Sequence, residues 1–503
     1  MVDKNRNEVE CQSLVAAIDL GSNSFHMVVA SIEQNEIRPL HRLGRKVQLA
    51  AGLSKDNTIS DEAMRRGLDC LEQFGQYLAE KKFRSVRIVG TNTLRNAKNR
   101  QFFLEKAQEV VPYPVEVIAG REEARLIYLG IAQTQGDDAD RRLALDIGGG
   151  STEFIIGEKF EPILLESLQM GCVTFTERYF NNGKITPERF QSAFYAAKLE
   201  LLNIAKPYSK LGWIDAVGSS GSIKAISHVL QALTGSQTIT LTGLNMLKNK
   251  MLHFQDLKAL QIPGLRPDRH TIFPGGLAIL LASFDTLAIK QARFSEGALR
   301  EGILYDMLGR SQYEDVKERT IDALLSRYNV NQDDAIKRSK HALNCFEQTQ
   351  KDWKLGIPDD QRLLTWAARI CKIGIYISHT QFHHHGAYLI NHCDFLGFSS
   401  EERQSIAFLV VGHYRSIPKA ELESLPRHRQ STLLKLAILL RIACLLNSVS
   451  MQVAEITYSL KAQGNKLSIL FPEGWLDEHP LTRAELSKER GYLSKVGFTL
   501  VIN

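Results

Sequence analysis

The sequence predicts a duplicated α/β unit, followed by an α-helical domain and a small α+β module, and three observations carry that class. A strand, glycine turn and strand at residues 19–30, D-L-G-S-N-S-F-H-M-V-V-A, recurs at 146–157 as D-I-G-G-G-S-T-E-F-I-I-G, 127 residues on (146 minus 19). Up to about residue 310, short apolar strands alternate with segments of helical periodicity. Beyond it the pattern is helical to about Ser450, and alternating segments return only at the end.

At 503 residues the chain has room for roughly three or four domains. The expected divisions are 1–125 and 126–310 for the two copies, 311–452 for the helical domain and 453–503 for the last module. A net charge of +6 excludes the overall polycation that coats nucleic acid, so no specific nucleic-acid partner is expected. The seven cysteines (11, 70, 172, 345, 371, 393, 444) are odd in number and form no C-x-x-C pair, as in a reduced, cytoplasmic chain. Residues 1–13 are polar and contain no secretory core. The apolar stretch 433–446 carries Lys435 and Arg441 and is shorter than the ~20 residues of a spanning helix. It reads as a buried helix, and no membrane partner is expected.

In chain order, 35–43 follows the first hairpin as a third strand, with Arg42, Arg45 and Lys46 leading into a loop. A helix is expected at 61–79, a strand at 86–89 and a turn at 90–95. Thr93 and Arg95 leave that strand at its carboxyl end, where open α/β sheets bind ligands, although a helix cap and a solvated arginine would look the same. Strand 115–118 ends at Gly120, and Arg121, Glu122 and Glu123 open the helix that carries the chain between the copies. Glutamates also suit a first helical turn through the dipole alone. Strands at 143–147, 153–156 and 163–166 precede a helix announced by Thr186 and Pro187. A strand at 214–217 runs into Gly218, Ser219, Ser220 and Gly221, and residues 295–302 open the last helix of the unit. Residues 311–320 read as a linker. Strands at 453–460, 466–471 and 498–502, with a helix at 482–489, make the final module.

The chemistry sits in the glycine turns. Successive backbone N–H groups in such a turn converge on an anion, and glycine lets the anion approach. Residues 148–151 (Gly148, Gly149, Gly150, Ser151), 22–24 (Ser22, Asn23, Ser24) and 218–221 are thus candidate phosphate-binding turns. Asp146 and Glu153 would repel a phosphate unless a hard cation such as Mg2+ lay between them. In the helical part, His379, His383, His384, His385, His392 and His413 resemble metal ligands, and Arg415, Lys419, Arg427, Arg429, Lys435 and Arg441 form either a solvated face or a path for a polyanion.

With D-L-G-S-N-S-F-H at 19–26, G-T-N-T-L-R at 90–95, G-R-E-E-A-R-L-I at 120–127, D-I-G-G-G-S-T-E at 146–153, M-G-C-V at 170–173, G-S-S-G-S at 218–222 and G-A-L-R-E-G at 297–302, the chain resembles the exopolyphosphatase / guanosine pentaphosphate phosphohydrolase (Ppx/GppA) family. The resemblance implies an actin-like (ASKHA, ribonuclease H-like) duplicated fold, an HD-like helical domain and a small C-terminal module. It also implies Mg2+-assisted removal of the terminal phosphate of polyphosphate or of the 5′ γ-phosphate of pppGpp, and a homodimer. Glu123 maps to the family's catalytic base, and Asp146 and Glu153 to its strand-end aspartate and S-T-E glutamate. Arg95 would add a fixed positive fork. Cys371 and Lys372 stand where an HD enzyme carries its His-Asp pair, which favours a binding role for the helical domain. The other readings are an ASKHA-type kinase, for which no acceptor signature is found, and a non-catalytic nucleotide- or polyphosphate-binding regulator.

Overall fold

In the computed structural model, which describes residues 13–33, 36–54, 56–134, 141–309, 316–356, 358–393, 395, 397–450 and 457–503, each copy of the repeated hairpin is the centre of a mixed sheet. In the first copy β1 (Ser13–Leu20), β2 (Ser24–Glu33) and β3 (Glu36–Lys46) form an antiparallel meander. Then come α1 (Asp61–Ala79), β4 (Ser85–Gly90), α2 (Asn92–Asn96), α3 (Arg100–Val110) and β5 (Val115–Val117). The sheet order is β3-β2-β1-β4-β5, with β4 parallel to β1 and β5 parallel to β4. Helix α4 (Gly120–Thr134) leads to the second copy.

That copy repeats the meander with β6 (Arg142–Ile147), β7 (Thr152–Glu158) and β8 (Glu161–Leu168). It continues through α5 (Cys172–Tyr179), α6 (Pro187–Leu211), β9 (Asp215–Ser219), α7 (Ser220–Thr234), β10 (Ile239–Thr240), α8 (Leu241–Leu252), α9 (Phe273–Thr286), β11 (Gln291–Phe294) and α10 (Leu299–Gly309). Its order, β10-β11-β9-β6-β7-β8, retraces the first sheet with the same strand senses and adds β10 as an antiparallel edge. This twofold repetition is the actin-like fold. In both hairpins the aspartate pairs with the residue seven positions on, Asp19 with His26 and Asp146 with Glu153.

Period-two alternation sorts each strand's side chains between two cores. Ala16, Ile18 and Leu20 face α1 and α3, whereas Val15 and Ala17 face α4 and α10. In the second sheet Leu143, Leu145 and Ile147 face the outer helices, and Ala144 joins the core of α4 and α10. The two crossing helices therefore lie between the sheets. They approach so closely that a Cβ on Gly302 would stand 1.7 Å from the Leu126 carbonyl oxygen, and one on Gly130 would stand 2.1 Å from that of Ala298. The division expected at 125/126 falls inside α4, and α10 packs on β1 as well as α4. The chain crosses between the halves twice, so neither helix belongs to one copy alone.

Two expectations shift at element ends and a third holds. β3 continues through Arg42, Arg45 and Lys46, which pair with β2 rather than forming a loop, and Asn35 lies outside the described residues. Residues 92–96 are a short helix instead of a turn. Thr186 and Pro187 do start α6, with Thr186 Oγ1 accepting from the Arg189 N–H at 3.3 Å.

The chain divides into two compact units, Met1–Tyr313 and Glu314–Asn503. The second holds α11 (Val316–Arg327), α12 (Gln332–Trp353), α13 (Asp359–Ile370), α14 (Phe382–His392), α15 (Ser400–Gly412), α16 (Lys419–Glu423) and α17 (Arg427–Ser450). A three-stranded sheet follows, built from β12 (Ser459–Gln463), β13 (Lys466–Leu470) and β14 (Thr499–Ile502), with α18 (Trp475–Glu478) and α19 (Pro480–Ser494) between the last two strands. The expected final module does not have a core of its own: Leu460, Leu467, Leu486 and Phe498 share one cluster with Leu364, Leu409 and Leu440. Residues 311–315 of the expected linker and 453–456 of the expected strand lie outside the described residues. Residues 433–446 are in α17, which is long and apolar enough to cross a membrane yet has Leu433, Leu436, Leu440 and Leu446 in this core. The basic run is not a free stripe, because Arg441 pairs with Glu489, Arg429 reaches Asp360 at 2.8 Å and Lys435 donates to the Trp353 carbonyl at 3.2 Å.

Charge is also buried between the sheets. Asp306 on α10 bonds Arg87 of β4 and Arg125 of α4, both at 2.7 Å, and Arg125 in turn holds Glu122 at 2.8 Å. Removing one partner of such a network leaves uncompensated charges in the interior. Asp306→Ala is expected to cost about 3–5 kcal/mol, read as a lower urea midpoint for unfolding of the first unit.

Candidate active site

The turn after β1 and the turn after β6 face each other. A Cβ on Gly149 would lie 2.9 Å from Ser22 Cβ and 3.5 Å from the Asn23 nitrogen, and one on Gly150 would lie 2.4 Å from Asn92 Oδ1. Gly171, from the M-G-C-V motif, supports the second turn from behind, where a Cβ would stand 2.3 Å from the Gly149 carbonyl. A third turn joins β9 to α7 and contains Ser220 at φ 86°, a strained conformation for a residue with a Cβ. These turns enclose one cavity of about 170 Å³, lined also by Asp19, Glu123, Asp146, Arg269 and Arg300.

Four carboxyl groups are buried here. Asp19 is pushed up to about 7 by burial, opposed by Arg300 and reinforced by Glu123 and Asp146. Asp146 also rises to about 7 through burial, although Ser219 donates a hydrogen bond to its Oδ2. Burial raises Glu123 as well, against the pull of Arg95, whose Nη1 bonds Glu123 Oε2 at 3.0 Å. Glu153 lies well above the usual carboxylate range because burial adds to repulsion from Glu123 and Asp146. On the cationic side, Arg300 and Arg269 join burial in holding His26 down to about 4.

Asp19 Oδ1 is buried and has no hydrogen-bond partner. An orphaned carboxylate oxygen in an acidic cavity suits a hard cation. Among the described residues no three carboxylates bring their oxygens together as a complete ligand set. The donors therefore match an ion that takes one or two carboxylates and completes its shell with water and phosphate oxygens, as Mg2+ does.

Of the residues expected at the site, Ser22, Asn23, Ser24, Glu123, Asp146, Gly148, Gly149, Gly150, Ser151, Ser220 and Gly221 line the cavity, whereas Thr93, Arg95, Glu153, Gly218 and Ser219 do not. Thr93 donates to Ser22 Oγ at 2.8 Å and so braces a phosphate turn rather than touching a ligand. Arg95 spends its Nη1 on Glu123 Oε2 and on the Ile118 carbonyl, each at 3.0 Å. Ser219 spends its hydroxyl on Asp146. Glu153 stands behind Asp146 on the paired strand and accepts from Ser167 at 2.8 Å. Within the second turn, the Gly148 N–H donates to the Ser151 carbonyl at 2.9 Å and is not free for an anion. Arg269, on a single 3₁₀ turn, and Arg300, at the start of α10, complete the cavity. Neither stands in a glycine turn, although Arg300 lies in the G-A-L-R-E-G stretch and could have been found there.

Two mirrored hairpins that close glycine turns over buried carboxylates define an enzyme of the actin-like class. Residues 28–311 match the model of the Ppx/GppA phosphatase family, and residues 316–490 match that of Ppx/GppA phosphatase, domain III. The guanosine-5'-triphosphate,3'-diphosphate pyrophosphatase of Pseudoalteromonas translucida is 37% identical over 493 residues, covering 98% of this chain and 99% of that protein. The protein of the same name from Photobacterium profundum is 39% identical over 492 residues, covering 97% and 98%. Among solved structures, an exopolyphosphatase from Cytophaga hutchinsonii superposes with a TM-score of 0.54 at 26% identity, over 59% of this chain and 98% of that one. The chain belongs to the Ppx/GppA phosphatase family.

A carboxyl raised in the folded chain keeps its proton where the unfolded chain has lost it, so these groups lower stability as pH rises from about 4 to about 7. Asp19→Asn removes one such group. In chelator-treated samples, its unfolding midpoint relative to wild type is expected to climb between about pH 5 and about pH 7.5. A difference that does not change with pH would show Asp19 to be ionised throughout.

Proposed function

We propose that this phosphoanhydride hydrolase removes the 5′ γ-phosphate of pppGpp, with water, to give ppGpp and inorganic phosphate. The placement of Glu123 carries the reading. Of the adjacent pair on α4, Glu122 is committed to Arg125, while Glu123 faces the cavity that the three glycine turns enclose. Phosphoryl transfer needs positioning and charge neutralisation more than covalent chemistry, and the cavity supplies donors, arginines and carboxylates at close quarters.

In this scheme, N–H groups of the three turns, with Arg269 and Arg300, hold the terminal phosphate oxygens. Asp19 and Asp146 would hold Mg2+, which would supply charge neutralisation to the phosphates. Glu123 Oε2, oriented by Arg95, accepts a proton from a water whose oxygen attacks the γ-phosphorus as the anhydride oxygen departs with its electron pair. Glu153, Ser219 and Thr93 act behind these groups as positioning residues. Thr93→Ala would therefore act through the Ser22 turn it braces.

The relatives that align with both units carry the pentaphosphate name, and the exopolyphosphatase structure aligns with 59% of the chain, which supports pppGpp as the preferred substrate. Polyphosphate is the second reading, favoured by that exopolyphosphatase structure. Side-by-side kcat/KM values for pppGpp and long-chain polyphosphate distinguish the two, and a higher value for polyphosphate would reverse the assignment.

Glu123→Gln is expected to lower kcat for phosphate release by roughly 10²–10⁴, with KM changed little. Loss of substrate binding in step with kcat would make Glu123 a structural residue instead. Chelation is expected to abolish turnover and added Mg2+ to restore it, and activity that survives chelation would remove the cation from the scheme.

A further inference from the structure

Cys371, His413 and Cys444 lie in the second unit and take no part in the phosphate cavity. Cys371 directly follows α13, His413 directly follows α15, and Cys444 is within α17. Their donor atoms all lie within 4.8 Å of one another, and among the described residues they are the one such group of three metal-ligating side chains.

The geometry is that of shared ligands. The two sulfurs are 3.9 Å apart. Two thiolates on one tetrahedral zinc at ~2.3 Å stand roughly 3.8 Å apart. A disulfide would need about 2.05 Å. His413 is buried, and its Nδ1 lies 2.5 Å from the Val410 carbonyl oxygen. A carbonyl can only accept, so Nδ1 carries the proton and Nε2 presents its lone pair. This is the outer bond that ligating imidazoles make.

The plain alternative is a buried Cys371 thiol and a half-buried Cys444 thiol sharing an S–H···S hydrogen bond at that distance. It does not account for a buried histidine within reach of both sulfurs. Nor does Lys372 occupy the place, because its Nζ turns to Asp334 Oδ2 at 3.2 Å. Asp334 also pairs with the buried Arg338, whose Nε shares the Ala368 carbonyl with Cys371 Sγ, at 2.8 and 3.5 Å. One carboxylate thus faces two cations beside the sulfurs. Two thiolates and a divalent ion sum to zero charge and leave that balance unchanged.

We propose that Cys371, His413 and Cys444 bind one thiophilic d10 cation, Zn2+ by ligand type, which ties the ends of α13 and α15 to α17. Three protein ligands leave a fourth position for water. The site is separate from the phosphate cavity, where Asp19 and Asp146 would hold the proposed Mg2+ through carboxylate oxygens.

The test uses the full-length reduced chain, produced in zinc-supplemented medium so that the ion is available during folding, then desalted and analysed by elemental mass spectrometry. About one equivalent of zinc is expected in wild type and less than about a tenth of that in Cys371→Ser and Cys444→Ser. Production in cobalt medium is expected to give a thiolate-to-cobalt charge-transfer band that both substitutions abolish. Should either variant fail to fold, peptide mapping of wild type after alkylation serves instead, with Cys371 and Cys444 protected by zinc and labelled after chelation. Metal-free wild type, zinc retained in both variants, equal labelling with and without zinc, or a Cys371–Cys444 disulfide in place of the ion would each overturn the proposal. Phosphate release by the folded variants is expected to match wild type, which separates failure here from failure of the cleft mechanism.

Discussion

Burying Asp19, Glu123, Asp146 and Glu153 within each other's fields is the constraint that organises the first unit. Burial alone raises all four, and repulsion from neighbouring carboxylates adds to it at Asp19, Asp146 and Glu153. A folded chain tolerates such a cluster only where it also supplies cationic partners or where a ligand does so in use. Arg95 and Arg300 supply part of the compensation, and the orphaned Asp19 oxygen marks where it stops. The duplicated topology makes this arrangement possible, since each hairpin carries an aspartate next to last in its first strand and then turns away through glycine. Bringing those turns together then requires bare backbone at Gly149, Gly150 and Gly171, where a single methyl group would meet atoms of the opposing turn or its support.

Much of this was legible because duplication repeats its own signal. The register of D-L-G-S-N-S-F-H against D-I-G-G-G-S-T-E becomes the register of the two sheets, Asp19 opposite His26 and Asp146 opposite Glu153. Helix α1 and the Thr186–Pro187 start were legible for a local reason, since periodicity and caps are short-range chemistry. Side-chain targets were not. Arg95 leaves the carboxyl end of a strand, as a phosphate ligand would, but its partner is a glutamate 28 residues on, which no local pattern encodes. Arg269 was hidden for a related reason: it stands on a single 3₁₀ turn, far in sequence from every glycine motif. The final module looked separate because its strands are amphipathic, yet the apolar faces of those strands complete the helical core and cannot be buried without it.

The pairing of Arg95 with Glu123 has to be reconciled with a role as base. An ion pair lowers basicity, and a glutamate held only by an arginine would be a poor proton acceptor near neutral pH. Here the two influences oppose each other: the guanidinium favours the ionised form, while burial beside Asp146 and Glu153 disfavours it, and burial is the larger. The net direction is upward, towards the range in which a carboxylate accepts and releases a proton readily. Arg95 thus limits how far burial raises Glu123 and also fixes where Oε2 points. Ser219 does the same for Asp146 with a neutral donor. The residues that do not line the cavity therefore tune the ones that do, and the carboxylates that face the cavity are oriented from behind by Arg95 and Ser219.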